Sequence, residues 1–107
     1  MGKIQNIGVV GAGQMGNGIA QVAAASGVDV VMSDITQDAA DRGVAAIEKS
    51  LGRLVKKERM TPEERDATLG RISTTLALAD VAQADLVVEA IVEREDRLVR
   101  RVLQPQH

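Results

Sequence analysis

A glycine-rich segment with the letters GAGQMG, residues 11–16, limits the possible folds of this chain more than any other feature. It follows an apolar, β-branched run at residues 4–10 and precedes a segment whose apolar residues recur at helical spacing. A second apolar run, residues 28–33, comes next and is closed by Asp34. A strand, a glycine turn, a helix and a second strand within about 30 residues are typical of a βαβ unit. The segment therefore predicts an α/β fold with a parallel sheet.

Two consecutive helices are predicted after this unit. Thr36 is placed to cap a helix at residues 37–58, whose apolar residues share one face and whose basic residues gather on the opposite face. The letters TPEE at residues 61–64 combine a capping Thr, a Pro at the first helical position and acids in the first turn. They predict a second helix that ends near Gly70. The two helices form a hairpin inserted before the next strand.

The last third of the chain predicts four short elements. They are a strand at residues 72–75, a helix at residues 78–83, a strand at residues 86–90 and an arginine-rich helix at residues 93–103. If the fourth strand is the last one, an apolar edge of the sheet stays open. Open edges tend to pair with another chain, so we expect self-association through this edge.

Composition excludes several classes of site and partner. The chain has no Phe, Trp or Tyr, which removes base stacking on aromatic side chains, and its net charge of −2 argues against nucleic acid as the main partner. It has no cysteine, which removes disulfides and thiolate metal sites and fits a reducing cytoplasm. No apolar run approaches the ~20 residues that span a bilayer. We expect a cytoplasmic protein without a metal site or a membrane partner.

The glycine segment has the GxGxxG spacing of dinucleotide-binding turns. In such a turn Gly11 allows the tight bend, Gly13 lets the backbone approach the pyrophosphate, and Gly16 lets the helix pack on the strand. The amides of Gln14 and Met15 open the helix, whose N-terminal dipole favours phosphate. The segment therefore predicts a site for the phosphates of a dinucleotide.

Asp34 is the predicted partner of the adenosine ribose. It lies 18 residues after Gly16, close to the spacing of about 20 residues expected for the acid that binds the ribose hydroxyls. Ile35 and Thr36 follow it, so neither Arg nor Lys stands there to accept a 2′-phosphate. The motif predicts NAD rather than NADP. Two alternatives stay open, a glycine turn without a ligand and a related domain that binds another nucleotide.

A family resemblance supports this interpretation. The run IGVVGAGQMGNGIAQVAAASGVDVVMSDI resembles the N-terminal NAD-binding domain of 3-hydroxyacyl-CoA dehydrogenases, and in particular that of 3-hydroxybutyryl-CoA dehydrogenases. The resemblance continues through the helical hairpin and the segment ADLVVEAIVERED, and it covers residues 4–96. It implies a Rossmann-like fold with an inserted helical hairpin, followed in the family by a helical dimerisation domain. The implied reaction is NAD-dependent oxidation of a 3-hydroxyacyl-CoA in fatty-acid metabolism.

The resemblance also implies contacts beyond the glycine segment and Asp34. Ala90 and Ile91 match a strand-end segment near the cofactor, and Glu93 matches a glutamate beside it. Ser50 and Lys57 match positions that contact the CoA moiety of the substrate. Lys57 also lies on the basic face of its helix, which suits the phosphates of CoA. The alternative is that this basic face is simply solvated.

The resemblance ends near residue 97. Five residues after Glu93 the family has a lysine that contacts the cofactor, whereas this chain has Leu98. The family's catalytic His–Glu pair has no counterpart, because the single histidine is His107, the last residue. We therefore expect residues 1–96 to form a NAD-binding domain that is incomplete at its C-terminal side and holds no catalytic residue.

Residues 97–107 are then a divergent arginine-rich tail, and the alternative for this tail is a natural C-terminal helix. For the whole chain the second functional hypothesis is a non-catalytic nucleotide-binding or interaction module that works with a partner chain. A third hypothesis is a remnant that binds no ligand.

Overall fold

The computed structural model describes residues 4–93 and 96–103, and the surroundings of side chains through residue 90. Five strands form one sheet; they are β1 (Asn6–Val10), β2 (Asp29–Ser33), β3 (Ile72–Thr75), β4 (Leu86–Glu93) and β5 (Asp96–Leu103). Their order in the sheet is β3-β2-β1-β4-β5, with the first four strands parallel and β5 antiparallel to β4. The predicted α/β fold with a parallel sheet is confirmed.

Four helices connect the strands; they are α1 (Gln14–Ala25), α2 (Gln37–Lys56), α3 (Pro62–Gly70) and α4 (Leu78–Ala82). The predicted caps are present. The Thr36 hydroxyl accepts a hydrogen bond from the Ala39 amide at 3.1 Å. Thr61 and Glu64 form a capping box, in which the Thr61 amide donates to the Glu64 carboxylate at 2.8 Å and the Glu64 amide donates to the Thr61 hydroxyl at 3.1 Å. The predicted hairpin of α2 and α3 is therefore confirmed. Within the described residues, no helix is long and apolar enough to cross a membrane.

The helices divide between the two faces of the sheet, as the alternation of side chains along a strand requires. Val9, Val30 and Met32 are buried on one face against apolar residues of α1 and α2, and α3 packs against the same cluster. Val31 lies on the opposite face and packs against a cluster that includes Val81 of α4. The core is built from aliphatic side chains, as a chain without aromatic residues requires.

The backbone of α2 reaches the turn between β1 and α1 at Gly43. A Cβ added to Gly43 would lie 2.7 Å from the carbonyl oxygen of Ala12 and 2.8 Å from its Cβ. It would also lie 3.1 Å from the Cε of Met32. Because atoms this close leave no room for a methyl group, α2 is seated directly against the turn.

The C-terminal part of the sheet differs from the prediction. The helix predicted for residues 93–103 is wrong, because β4 continues to Glu93 and β5 returns antiparallel along it, from the Glu93–Asp96 pair to the Leu86–Leu103 pair. A strand at an edge has unpaired backbone donors and acceptors, and β5 satisfies those of β4 along its whole length. The open edge predicted for β4 is therefore also wrong, and β5 is the outermost strand on that side.

Two further expectations concern the end of the chain. The predicted domain boundary at residue 97 falls inside β5, and the division into a domain and a tail stays a prediction. His107 lies outside the described residues.

A substitution pair on α2 tests the close approach at Gly43. We expect Gly43→Ala to lower the free energy of unfolding by about 1–3 kcal/mol, because the backbone of Ala12 must shift. Gly52→Ala on the same helix is the control, since its added methyl meets no described atom within 4 Å. Alanine in a helix is favoured over glycine by about 0.5–1 kcal/mol, so this control is more stable than the wild type. Chemical denaturation measures the order, and equal stability of the two variants contradicts the close approach.

Candidate dinucleotide-binding site

The turn between β1 and α1 is shaped by two glycines. Gly11 has a φ of 103°, in the left-handed region, and its amide donates to the Ser33 carbonyl oxygen at 2.8 Å. A Cβ added to Gly16 would lie 1.7 Å from the carbonyl oxygen of Gly11, so the first turn of α1 rests on the backbone of the preceding turn. Gly11 and Gly16 are therefore required by backbone geometry alone, whatever the turn binds.

The N-terminus of α1 presents free amide donors at an open surface. The first helical hydrogen bond runs from the Asn17 amide to the Gly13 carbonyl oxygen at 2.9 Å, so the amides of Gln14 and Met15 precede it. Gly13 is the N-cap and is exposed, and an added Cβ there meets no described atom within 4 Å. The first turn of α1 carries no acid, so its partial positive charge is not neutralised within the helix. This arrangement can hold an anion.

The carboxylate of Asp34 lies beside this turn, at the end of β2. Its Oδ2 accepts a hydrogen bond from the Ala12 amide at 2.8 Å, and its Oδ1 accepts one from the Ile35 amide at 2.7 Å. Each carboxylate oxygen has a second lone pair, so both oxygens can still accept from hydroxyl groups of a ligand. The structure thus brings Asp34 and the glycine turn together, as the motif predicts.

An apolar cavity of about 380 Å³ opens at the carboxyl ends of β1, β2 and β3, with Asp34 in its wall. Its other side chains include Ile35, Leu76 and Leu78, which are 91%, 54% and 64% exposed. Neither leucine is among the site residues predicted from the sequence. The position of Leu76 directly after β3 could have indicated this leucine, because the carboxyl ends of parallel strands meet at one edge of the sheet.

A second groove, of about 660 Å³, runs between α1 and α2 from the glycine turn toward the C-terminal half of α2. It contains Asp34 at one end and Ser50 and Arg53 at the other. Arg53 was missed by the sequence analysis, although it stands three residues after Ser50 and therefore shares its helical face. Lys57 is the exposed C-cap of α2 and is not among the residues that line this groove.

Ala90 and Ile91, two of the residues predicted to contact the cofactor, lie within β4 rather than at its end. Ala90 is buried and pairs with Val99, and Ile91 pairs with Leu98. The expectation that these residues end the strand is wrong, because pairing with β5 extends β4 to Glu93, beyond the last residue paired with β1. The side-chain surroundings of Ile91 and Glu93 lie outside the described part of the chain.

The strand order, the glycine turn and the acid after β2 together define a Rossmann-type dinucleotide-binding domain. The chain belongs to the family described as 3-hydroxyacyl-CoA dehydrogenase, NAD binding domain, whose model matches residues 6–102. The resemblance found in the sequence and the NAD cofactor that it implies are confirmed by this match. The match continues past residue 97, where the sequence analysis places the start of the tail.

Individual relatives agree with the family. A probable 3-hydroxybutyryl-CoA dehydrogenase of Deinococcus radiodurans is 58% identical over 88 residues, which are 82% of this chain and 31% of the relative. The 3-hydroxybutyryl-CoA dehydrogenase of Bradyrhizobium diazoefficiens is 47% identical over 93 residues, 87% of this chain and 32% of the relative. The crystal structure of the (S)-3-hydroxybutyryl-CoA dehydrogenase of Ralstonia eutropha gives a TM-score of 0.83 at 44% identity, over 86% of this chain and 32% of that chain. This chain spans about a third of the length of these proteins.

Two glycines of α1 provide a matched test of the turn. We expect Gly16→Ala to lower the free energy of unfolding by about 3 kcal/mol, because the methyl would collide with the Gly11 carbonyl group. At Gly18 an added Cβ meets no described atom within 4 Å, so Gly18→Ala raises the stability by about 0.5–1 kcal/mol. Thermal unfolding followed by circular dichroism measures both. A Gly16→Ala variant as stable as Gly18→Ala would contradict the geometry of the turn.

Proposed function

We propose that this chain binds NAD across the carboxyl edge of its sheet, as the NAD-binding part of a dehydrogenase that acts on 3-hydroxyacyl-CoA, with 3-hydroxybutyryl-CoA as the substrate. One observation carries the proposal: the free amides at the N-terminus of α1 and the carboxylate of Asp34 lie at the same edge, beside an apolar cavity. Phosphate, ribose and base have chemically matched positions there.

The pyrophosphate of NAD fits the glycine turn. The amides of Gln14 and Met15 donate to its oxygens, and the dipole of α1 stabilises its charge. Gly13 leaves the surface open at this point, where any side chain would occupy space needed by the phosphates. Gly11 and Gly16 hold the backbone in the shape that this contact requires.

The adenosine half of NAD fits Asp34 and the apolar cavity. The two oxygens of Asp34 accept from the ribose hydroxyls through their remaining lone pairs. The apolar walls at Ile35, Leu76 and Leu78 suit the flat adenine ring, which removes these exposed side chains from water. A 2′-phosphate would stand next to the Asp34 carboxylate, and this repulsion favours NAD over NADP.

The chain contributes cofactor binding to the reaction, and NAD supplies the hydride acceptor when it is bound. Oxidation of the 3-hydroxyl group would transfer a hydride from C3 of the substrate to the bound NAD, and a proton from the hydroxyl group to a base. We assign no catalytic residue within the described part of the chain. Ala90, Ile91 and Glu93 are proposed to contact the cofactor along β4.

The CoA moiety is proposed to contact the C-terminal half of α2. Ser50 lines the groove between α1 and α2, and Arg53 and Lys57 add two positive charges on the same side of the helix. Phosphate groups are attracted to such a surface, and the attraction weakens as salt is added. The side chain of Arg53 is therefore a third proposed contact for CoA.

Calorimetric titration tests the NAD site. We expect NAD and ADP-ribose to bind with comparable affinity, weaker than micromolar, because the contacts at the glycine turn, at Asp34 and in the apolar cavity all belong to the ADP-ribose half. NADP is expected to bind at least about tenfold more weakly, because its 2′-phosphate faces a carboxylate. If neither NAD nor ADP-ribose binds to a sample shown to be folded, the proposal is wrong. Equal affinity for NADP and NAD removes Asp34 as the ribose partner.

Titration with coenzyme A tests the second surface. We expect Arg53→Ala and Lys57→Ala each to weaken binding by about threefold at low ionic strength and by less when salt is added. Arg59→Ala removes the same charge from an exposed residue beyond the end of α2 that does not line the groove, so it serves as the control. If all three variants lose affinity equally, the attraction is general and the surface holds no defined contact.

The location, the metabolic role and the self-association of the protein are also proposed. We propose a cytoplasmic location, which the absence of cysteine supports, and a role in fatty-acid metabolism. Self-association is proposed along the outer edge of β5, which ends the sheet.

A further inference from the structure

The end of β2 binds two successive amides of the glycine turn. The Gly11 amide donates to the carbonyl oxygen of Ser33, and the Ala12 amide donates to the Oδ2 of Asp34, both at 2.8 Å. The first contact is made by the backbone and is available to any residue at position 33. The second depends on the side chain of Asp34, so one carboxylate connects the strand to the turn that precedes α1.

Ala12 is held on its other sides as well. It is 3% exposed, and Gly43 approaches it so closely that an added Cβ there would lie 2.7 Å from its carbonyl oxygen and 2.8 Å from its Cβ. Its hydrogen bond to Asp34 is partly buried, and loss of the acceptor leaves the amide without its partner in the protein, which is penalised. The position of Ala12 between α2 and β2 therefore depends on the acceptor that Asp34 supplies.

Because Asp34 is charged, its effect on phosphate binding through charge can be distinguished from its effect through the hydrogen bond to Ala12. A carboxylate beside a phosphate-binding turn repels phosphate, so by charge alone its removal strengthens phosphate binding. If the carboxylate holds the turn in its binding shape, its removal weakens phosphate binding instead. The two effects have opposite signs.

We infer that Asp34 is a positioning residue for the pyrophosphate turn, in addition to the ribose contact under the proposed function, on which this inference rests. Its carboxylate holds Ala12 before any ligand binds, so the amides of Gln14 and Met15 already point to the surface. Binding of the phosphates then depends on Asp34 even in a nucleotide that lacks the ribose hydroxyls. A small residue at position 34, introduced to favour NADP, would therefore remove two things at once. It removes the ribose contact, and it removes the hydrogen bond that holds the glycine turn in its binding shape.

The first experiment compares ADP with 2′,3′-dideoxyadenosine diphosphate, which keeps the phosphates and lacks both hydroxyls. The wild-type chain, Asp34→Ala and the control Asp29→Ala are titrated with each nucleotide by NMR. Asp29→Ala removes the same charge from the exposed opposite end of β2. We expect Asp34→Ala to bind the dideoxy nucleotide about tenfold more weakly than the wild type does, and Asp29→Ala to bind it unchanged. Equal or tighter binding of the dideoxy nucleotide by Asp34→Ala overturns the inference.

The second experiment measures hydrogen exchange of the Ala12 amide without a ligand. We expect this amide to be protected in the wild type and in Asp29→Ala, and to exchange at least about tenfold faster in Asp34→Ala. The amide of Asn17, bonded within α1, reports whether the helix itself stays intact. Unchanged protection of Ala12 in Asp34→Ala overturns the inference.

The Asp34→Asn variant gives an answer even if Asp34→Ala does not fold. Its single amide oxygen can accept from Ala12 while its charge is lost, and the amide of Ile35, an exposed residue, can bond to water instead. We therefore expect Ala12 to stay protected and the dideoxy nucleotide to bind at least as well as it does to the wild type. If Ala12 is protected in this variant but the dideoxy nucleotide no longer binds, the inference that Asp34 acts through Ala12 is wrong. Failure of the wild type to bind ADP in the same titrations instead rejects the proposed nucleotide site itself, whatever the exchange of Ala12 shows.

Discussion

The proposed nucleotide site depends on the contact between the first turn of α1 and the backbone of the turn that precedes it. Gly16 makes this contact possible, because any larger residue would displace the Gly11 carbonyl group. Once α1 is seated there, its free amides stand at the carboxyl edge of the parallel sheet. Asp34 reaches the same edge because β2 runs parallel to β1 and ends beside it. The proposed donors for phosphate therefore depend on this packing contact, and the proposed acceptor for ribose depends on the pairing of β1 with β2.

Asp34 lines both the apolar cavity at the strand ends and the groove between α1 and α2. The apolar cavity is the proposed position of the base, whereas the groove leads from the glycine turn to Ser50 and Arg53. The close approach of Gly43 to Ala12 holds α2 against the turn, so the groove keeps its shape through backbone contact. Family membership and this geometry lead to the same cofactor.

Local signals predicted most of the elements. The caps at Thr36 and Thr61 determine where the helices α2 and α3 begin, through hydrogen bonds between near neighbours in the chain. The spacing of the glycine motif placed the turn and Asp34 together, since these residues are joined by one βαβ unit. The prediction failed at residues 93–103, where the aliphatic and arginine residues fit a helix as well as a strand. Only the unpaired edge of β4, a feature formed by distant residues, decides in favour of a strand.

The sequence by itself determined the βαβ unit, the glycines that the turn requires, the hairpin of helices and the family. These features rest on contacts within short stretches of chain or on the backbone freedom of single residues. Tertiary structure alone decided that Leu76 and Leu78 face Ile35 and that Arg53 joins the groove that begins at the glycine turn. It also decided that the Asp34 carboxylate accepts from the Ala12 amide. Parallel pairing of β1, β2 and β3 brings the residues after each strand to one edge, and the close approach of Gly43 to Ala12 places α2 beside the turn. No local pattern in the chain encodes these distances.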